Sequence, residues 1–181
     1  LRNGAVFMIA MLIGILGITA NCVIYQQKNG KNLLLWKLIS DILWFFHYLF
    51  LGAYSGSAVA LIGVFRELVF YKENQKGRKS LFYLLFFISI TVFSAIFTWK
   101  GVISIFPAIA SIISIIGFWK ANPELSRVLA FPVSGLMLTY DLCCDSYVGI
   151  VNEVLTLFAT TFAIIYNLYK RKVDKNENRC C

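Results

Sequence analysis

The sequence predicts an all-α polytopic membrane protein of seven transmembrane helices. Three observations predict it. Hydrophobic residues make up 59% of the 181 residues and charged ones only 14%, against roughly 45–50% and about 25% in a soluble domain; mean hydropathy is +0.74. Apolar runs near the length of a bilayer-spanning helix follow one another along the whole chain. Basic residues gather in alternate seams between those runs. The apolar excess is too large for one soluble core. It argues against reading the net charge of +8 as a nucleic-acid surface, and against a secreted disulfide scaffold.

Seven runs are read as spans: Ala5–Tyr25, Leu33–Gly52, Ser55–Tyr71, Ser80–Thr98, Gly101–Trp119, Leu125–Cys143 and Tyr147–Tyr169. They are helices rather than barrel strands because a spanning chain must satisfy its backbone hydrogen bonds internally, and the runs lack the roughly ten-residue alternation of a barrel strand. The first run is longer than the apolar stretch of a signal peptide, roughly 7–15 residues, and is read as a retained span. Tyr25, Trp36, Tyr71, Trp99, Trp119 and Tyr169 stand at or near span ends, where aromatic side chains settle at the head groups; Trp44 lies inside span 2.

Charge predicts the orientation. Lys28, Lys31, Lys37, Arg66, Lys72, Lys76, Arg78, Lys79, Lys120, Arg127, Lys170, Arg171, Lys172, Lys175 and Arg179 fall on one side, leaving only Arg2 and Lys100 on the other. By the positive-inside rule the crowded side is cytoplasmic, so the N-terminus is outside and the tail inside. Anionic lipid head groups then account for the net charge.

Spans 1–3 and 5–7 correspond at a shift of about 92 residues. Lys28 matches Lys120, Leu33 matches Leu125 and Tyr48 matches Tyr140; Tyr54 and Gly56 match Tyr147 and Gly149 at 93. Three spans reverse the direction of the chain, so an extra one must intervene before a second triplet repeats the first in the same orientation. The expectation is a single membrane domain over residues 1–181 in a 3+1+3 arrangement of parallel repeats. Residues 5–71 form the first triplet, 80–98 the linking helix, 101–169 the second triplet and 170–181 a cytoplasmic tail. Gly14, Gly17 and Pro107 in spans 1 and 5, and Pro132 opposite Ser40 in spans 6 and 2, place helix breakers at matching depths, the sequence pointer to a midplane site.

Charged residues inside a bilayer pair or face water. If spans 2 and 3 form a hairpin turning between Ala53 and Tyr54, Asp41 and Arg66 lie at equal depth, and an intramembrane ion pair between them is expected. Two other arrangements compete: Arg66 reaching to the interface, or Asp41 pairing with Lys37 one turn away. His47 and Glu153 lie at similar depths in spans 2 and 7, with a pair across the halves as one reading and separate local hydrogen bonding as the other. Trp44, His47, Arg66, Tyr140 and Glu153 are the candidate substrate-binding residues, with Asn21 and Asn152 completing a polar cavity. No zinc, nucleophile-elbow or phosphate-loop signature is present, and Cys22, Cys143, Cys144, Cys180 and Cys181 lack metal-ligand spacing. No enzymatic activity, metal or cofactor is therefore expected.

The segment His47-Tyr48-Leu49-Phe50-Leu51-Gly52-Ala53 followed by Arg66 resembles the His-aromatic-x-x-Leu-Gly-Ala…Arg segment of the bacterial YgjV inner-membrane proteins. The stretch from Phe106-Pro107 to Leu129 and the basic tail are similar to that family as well. The resemblance implies a multi-pass protein of the bacterial inner (plasma) membrane, and the span pattern looks like that of PQ-loop and SWEET-type transporters. Two functions are weighed. One is a small-solute transporter or facilitator with a midplane site between the triplets. The other is a non-transporting receptor or assembly protein using the basic segments 72–79 and 170–179. The expected partners are the lipid bilayer with its anionic head groups, a small-molecule substrate and further copies of the chain, but no nucleic acid.

Overall fold

The computed structural model describes residues 4–99 and 101–177. Arg2, Lys100, Arg179, Cys180 and Cys181 lie outside the described residues, as do the side chains of Arg171, Lys172 and Lys175. The described chain is helical throughout, in the order α1 (Gly4–Gln26), α2 (Gly30–Leu51), α3 (Tyr54–Gln75), α4 (Leu81–Phe97), a 3-10 turn (Val102–Ser104), α5 (Ile105–Trp119), α6 (Pro123–Cys143) and α7 (Tyr147–Glu177). Each helix covers one expected span to within a few residues, except that α7 runs on to Glu177, into the expected tail, and the fifth run is divided between the 3-10 turn and α5.

Four segments are long and apolar enough to cross a membrane: Val6–Gln26, Gly30–Leu51, Val102–Trp119 and Tyr147–Lys170. Helix α4 is equally apolar but only 17 residues long. Helices α3 and α6 instead carry Arg66, Glu67, Arg127 and Asp141, all buried inside the bundle. The bundle is apolar outside and polar within. Phe82, Phe97 and Phe158 are among the most exposed side chains, Phe97 at 74%, whereas Ser40, Asp41, His47, Arg66, Glu67, Asp141, Asn152 and Glu153 are buried. Water gives no reason for that inversion, and a hydrocarbon surround does.

Local chemistry fixes the helix ends. The Asn29 side chain accepts from Lys31 N–H to start α2. Asn122 does the same for Glu124 and Leu125 N–H at α6, where Pro123 opens the helix with a φ already suited to it. Helix α2 ends at Gly52 with φ 71°, and Ala53 N–H returns to Tyr48 O at 2.9 Å, the left-handed closure that favours glycine. Helix α6 closes in the same way through Asp145 with φ 54°, and Ser146 N–H returns to Asp141 O at 2.9 Å.

Three of the six corresponding helix ends share one interval, and Leu51 and Cys143 miss it by one residue. Gln26 and Trp119, Gly30 and Pro123, and Tyr54 and Tyr147 are each 93 residues apart, and so are Gly52 and Asp145 at the two left-handed closures. That is one residue more than the shift pairing Lys28 with Lys120, and it sets Tyr48 against Asp141 in place of Tyr140. Consecutive helices pack on each other from α1 to α3 and from α5 to α7. Helix α4 lies against α3 and α5, α3 meets α5, and α7 meets α1.

Of the expected helix breakers, Gly14 and Gly17 face α2. A Cβ on Gly17 would stand 3.2 Å from the Trp44 ring, and one on Gly14 2.8 Å from His47 Nδ1. Pro107 falls in the first turn of α5, where its missing N–H has no intrahelical partner to lose. Pro132 is exposed on the outside of an unbroken α6 and does not interrupt a span.

Candidate functional site

Between the helices lies a cavity of about 110 Å³, lined from α1, α2, α3, α5, α6 and α7. Three groups of polar side chains surround it.

The first is an ionic cluster built into the α2–α3 hairpin. Asp41 takes Lys37 one turn before it on α2 and Arg66 from α3, with Arg66 Nη2 at 3.5 Å from Asp41 Oδ2. Arg66 Nε also donates to Glu67 Oε1 at 2.8 Å, and Nη1 donates to Ser111 Oγ on α5 at 3.4 Å. Two cations thus meet two carboxylates. Arg66 is 2% exposed and Glu67 0%, so Arg66 does not reach to the interface. Helix α3 approaches Asp41 closely because Gly63 has no side chain: a Cβ there would lie 2.5 Å from Asp41 Oδ2. The structure brings Asp41 and Arg66 together, and Lys37 joins them instead of replacing Arg66. Glu67, absent from the residues expected at the site, joins the cluster through Arg66 Nε.

The second group is a hydrogen-bonded row across α2, α1 and α7. Ser40 Oγ donates to Asn21 Oδ1 at 2.6 Å, Asn21 Nδ2 donates to Asn152 Oδ1 at 2.9 Å, and Asn152 Nδ2 donates to Glu153 Oε1 at 2.8 Å. The Ser134 hydroxyl of α6 also hydrogen-bonds Glu153. Every donor in the row points toward the carboxyl of Glu153.

The third group sits at the end of the bundle opposite the basic seams, where α2 and α6 close. Tyr48 O–H donates to Asp141 Oδ1 at 2.9 Å, Gly56 N–H donates to Tyr140 Oη at 3.1 Å, and the two tyrosine rings are 6.1 Å apart. The residue before α3 is Ala53, which has no capping side chain. Tyr140 therefore satisfies an amide of the first turn that would otherwise lack a partner. At α7 the equivalent residue is Ser146, whose Oγ accepts from Gly149 N–H at 3.2 Å. Asp141 packs on Gly149, where a Cβ would collide with its carboxyl.

Trp44, Arg66 and Glu153 line the cavity, along with Asn21, Asn152, Tyr48 and Asp41. His47 and Tyr140 do not. His47 Nδ1 lies 2.8 Å from Ala10 O and Nε2 3.3 Å from Ser146 Oγ. A carbonyl only accepts, so Nδ1 carries the hydrogen and Nε2 accepts from the serine. His47 ties α1, α2 and the start of α7 together, and Glu153 has other partners. Tyr140 belongs to the closure at the opposite end. Among the described residues, no group of three or more His, Cys, Asp or Glu is placed to hold a metal ion, and Cys22, Cys143 and Cys144 are free thiols.

Residues 8–172 match the family model Imp-YgjV, described as bacterial inner membrane protein. The chain belongs to this family. No curated protein and no solved structure is significantly similar to it. Family membership and the apolar helices place this YgjV-family protein in the bacterial inner membrane.

Proposed function

We propose that this YgjV-family protein carries a small polar solute across the inner membrane, with the central cavity as its binding site. The observation that carries the reading is the cavity itself: about 110 Å³, lined by six helices and bordered by Asp41, Arg66, Asn21, Asn152 and Glu153. Polar groups are expensive inside a bilayer and mark substrate or ion pathways. Trp44 and Thr156 also line the cavity.

The interval of 93 residues shared by three pairs of helix ends, and the paired contacts α3 with α5 and α7 with α1, support two co-oriented triplets joined by α4. Rocking of one triplet against the other is a known route to alternating access. The Tyr48–Asp141 and Tyr140–Gly56 bonds each join one triplet to the other, as a closed gate would. The basic seams favour a cytoplasmic tail and an external N-terminus.

Purified protein in liposomes, tested for uptake of a panel of radiolabelled small metabolites, checks the reading. Uptake that is lost with Arg66→Met and Glu153→Gln but kept with His47→Ala, per folded molecule, is the expected result. Absence of flux for every solute would leave the non-transporting alternative, with the basic segment 72–79 as its contact surface.

A further inference from the structure

The charges around the cavity do not balance between its two sides. On the α2–α3 side, Lys37 and Arg66 meet Asp41 and Glu67 in direct ion pairs. On the α6–α7 side stand Glu153 and Asp141. Among the described residues no ion pair reaches either of them, although Lys37, which lines the same cavity, acts electrostatically on Glu153; their hydrogen bonds come from the Asn152 amide and Ser134 hydroxyl for Glu153, and from the Tyr48 hydroxyl for Asp141. Glu153 is 7% exposed and borders the cavity, whereas Asp141 does not. Gly149, on which Asp141 packs, is one turn before Glu153 on the same face of α7, so both carboxyls stand at one wall.

The row Ser40–Asn21–Asn152 ends with its last donor on Glu153. A chain of donors polarised in one direction favours negative charge at the end that only accepts. The same cavity is bordered by the faces or edges of Tyr25, Trp44, Tyr48 and Phe118, and aromatic faces attract cations most strongly where water is excluded. Lys37 already uses one of them, with Nζ 5.5 Å from the Phe118 ring centre.

From this placement we infer that the cavity takes a small organic ammonium solute, with the carboxylate of Glu153 as its counter-charge and the rings of Trp44, Tyr25 and Tyr48 as its walls. The inference rests on the transport reading for its biological role, but not for the binding itself. A bound ammonium supplies the cation that this wall lacks. A space of about 110 Å³ suits a molecule of a few non-hydrogen atoms, since one water occupies about 30 Å³ of liquid.

The test is equilibrium binding to the purified full chain in nanodiscs by titration calorimetry, without reference to flux. The probes are ethanolamine and tetramethylammonium, their neutral counterparts ethylene glycol and tert-butanol, and sodium chloride. Binding of an ammonium probe and not of its neutral counterpart is expected, weakened about tenfold or more by Glu153→Gln, the loss of a charge-assisted contact. Glu153→Asp, which keeps the charge, retains part of it. Thermal unfolding confirms that each variant is folded.

Equal binding of neutral and ammonium probes, unchanged ammonium binding in folded Glu153→Gln, binding of sodium alone, or no binding of either ammonium would overturn the inference. Flux of a neutral solute without ammonium binding leaves the transport reading intact and removes this one. Ammonium binding in a protein that moves no solute does the reverse.

Discussion

Replacing Arg66 by methionine isolates the energetics of the ionic cluster. Arg66 is buried and touches Glu67 at 2.8 Å, Asp41 at 3.5 Å and Ser111 at 3.4 Å. Without it Asp41 still has Lys37, but Glu67, 0% exposed, has no cation in contact. Leaving a buried charge uncompensated costs about 3–5 kcal/mol, which for a chain of this length lowers Tm by about 2–4 °C per kcal/mol, or about 6–20 °C in all. The second substitution tells the two carboxylates apart. Arg66→Met with Glu67→Gln restores neutrality at the orphaned site and recovers most of the loss, leaving about 1–2 kcal/mol for the missing hydrogen bonds and packing. Arg66→Met with Asp41→Asn recovers less, because it strands Glu67 and frees Lys37. Thermal unfolding of the four proteins in one detergent measures the series. If Asp41→Asn rescues Arg66→Met as well as Glu67→Gln does, or if Arg66→Met lowers Tm by less than a few degrees, the assignment of Glu67 as the dependent partner is wrong.

Three further predictions use other parts of the bundle. Gly149→Ala drives a methyl group into the Asp141 carboxyl and lowers stability. Gly135→Ala meets nothing within 4 Å and gains up to about 1 kcal/mol from helix propensity; the Tm values should move in opposite directions. Tyr140→Phe strands the Gly56 amide at a cost of about 1–3 kcal/mol, and the same substitution made on an Ala53→Ser background costs less, because the serine can cap α3 as Ser146 caps α7; a double-mutant cycle reads the difference. His47→Ala removes the bridge from α1 to Ser146 and lowers Tm, yet leaves ammonium binding by the remaining folded protein within about twofold, whereas Glu153→Gln weakens it about tenfold or more with little effect on Tm. Titration of both variants with one ligand would expose an error in placing His47 outside the cavity.

Much of this architecture was legible in the residue order, because hydropathy and loop chemistry are local properties. The seven runs coincide with helices, and counting from a turn between Ala53 and Tyr54 puts Asp41 and Arg66 at one depth; the turn falls one residue earlier, at Gly52 and Ala53, and the two side chains still meet. Depth, however, is only one of two helical coordinates. His47 and Trp44 lie three residues apart, about 4.5 Å in depth and about 60° around the axis, and that modest turn sets His47 against Ala10 and Ser146 while Trp44 borders the cavity. Gly14 was the clue, since it opens the space that His47 enters. Tyr140 was misplaced for the same reason: a register of 92 in place of 93 turns a helix by about 100° and hides that Tyr48 faces Asp141. The charge on Glu67 was hidden because it adjoins Arg66 in sequence, and side chains at adjacent helical positions do not usually face each other; the long Arg66 side chain bends back to reach it.

The ionic cluster has a consequence for how the chain enters the lipid. Each of its four members resists partitioning into lipid when unpaired, and α3 is not among the helices apolar enough to cross a membrane by itself. All four lie within one helical hairpin with a two-residue turn, Gly52 and Ala53. The insertion unit is therefore the pair α2–α3, neutralised before it leaves the translocation channel, and a substitution that unbalances the cluster acts on biogenesis before it acts on the finished fold.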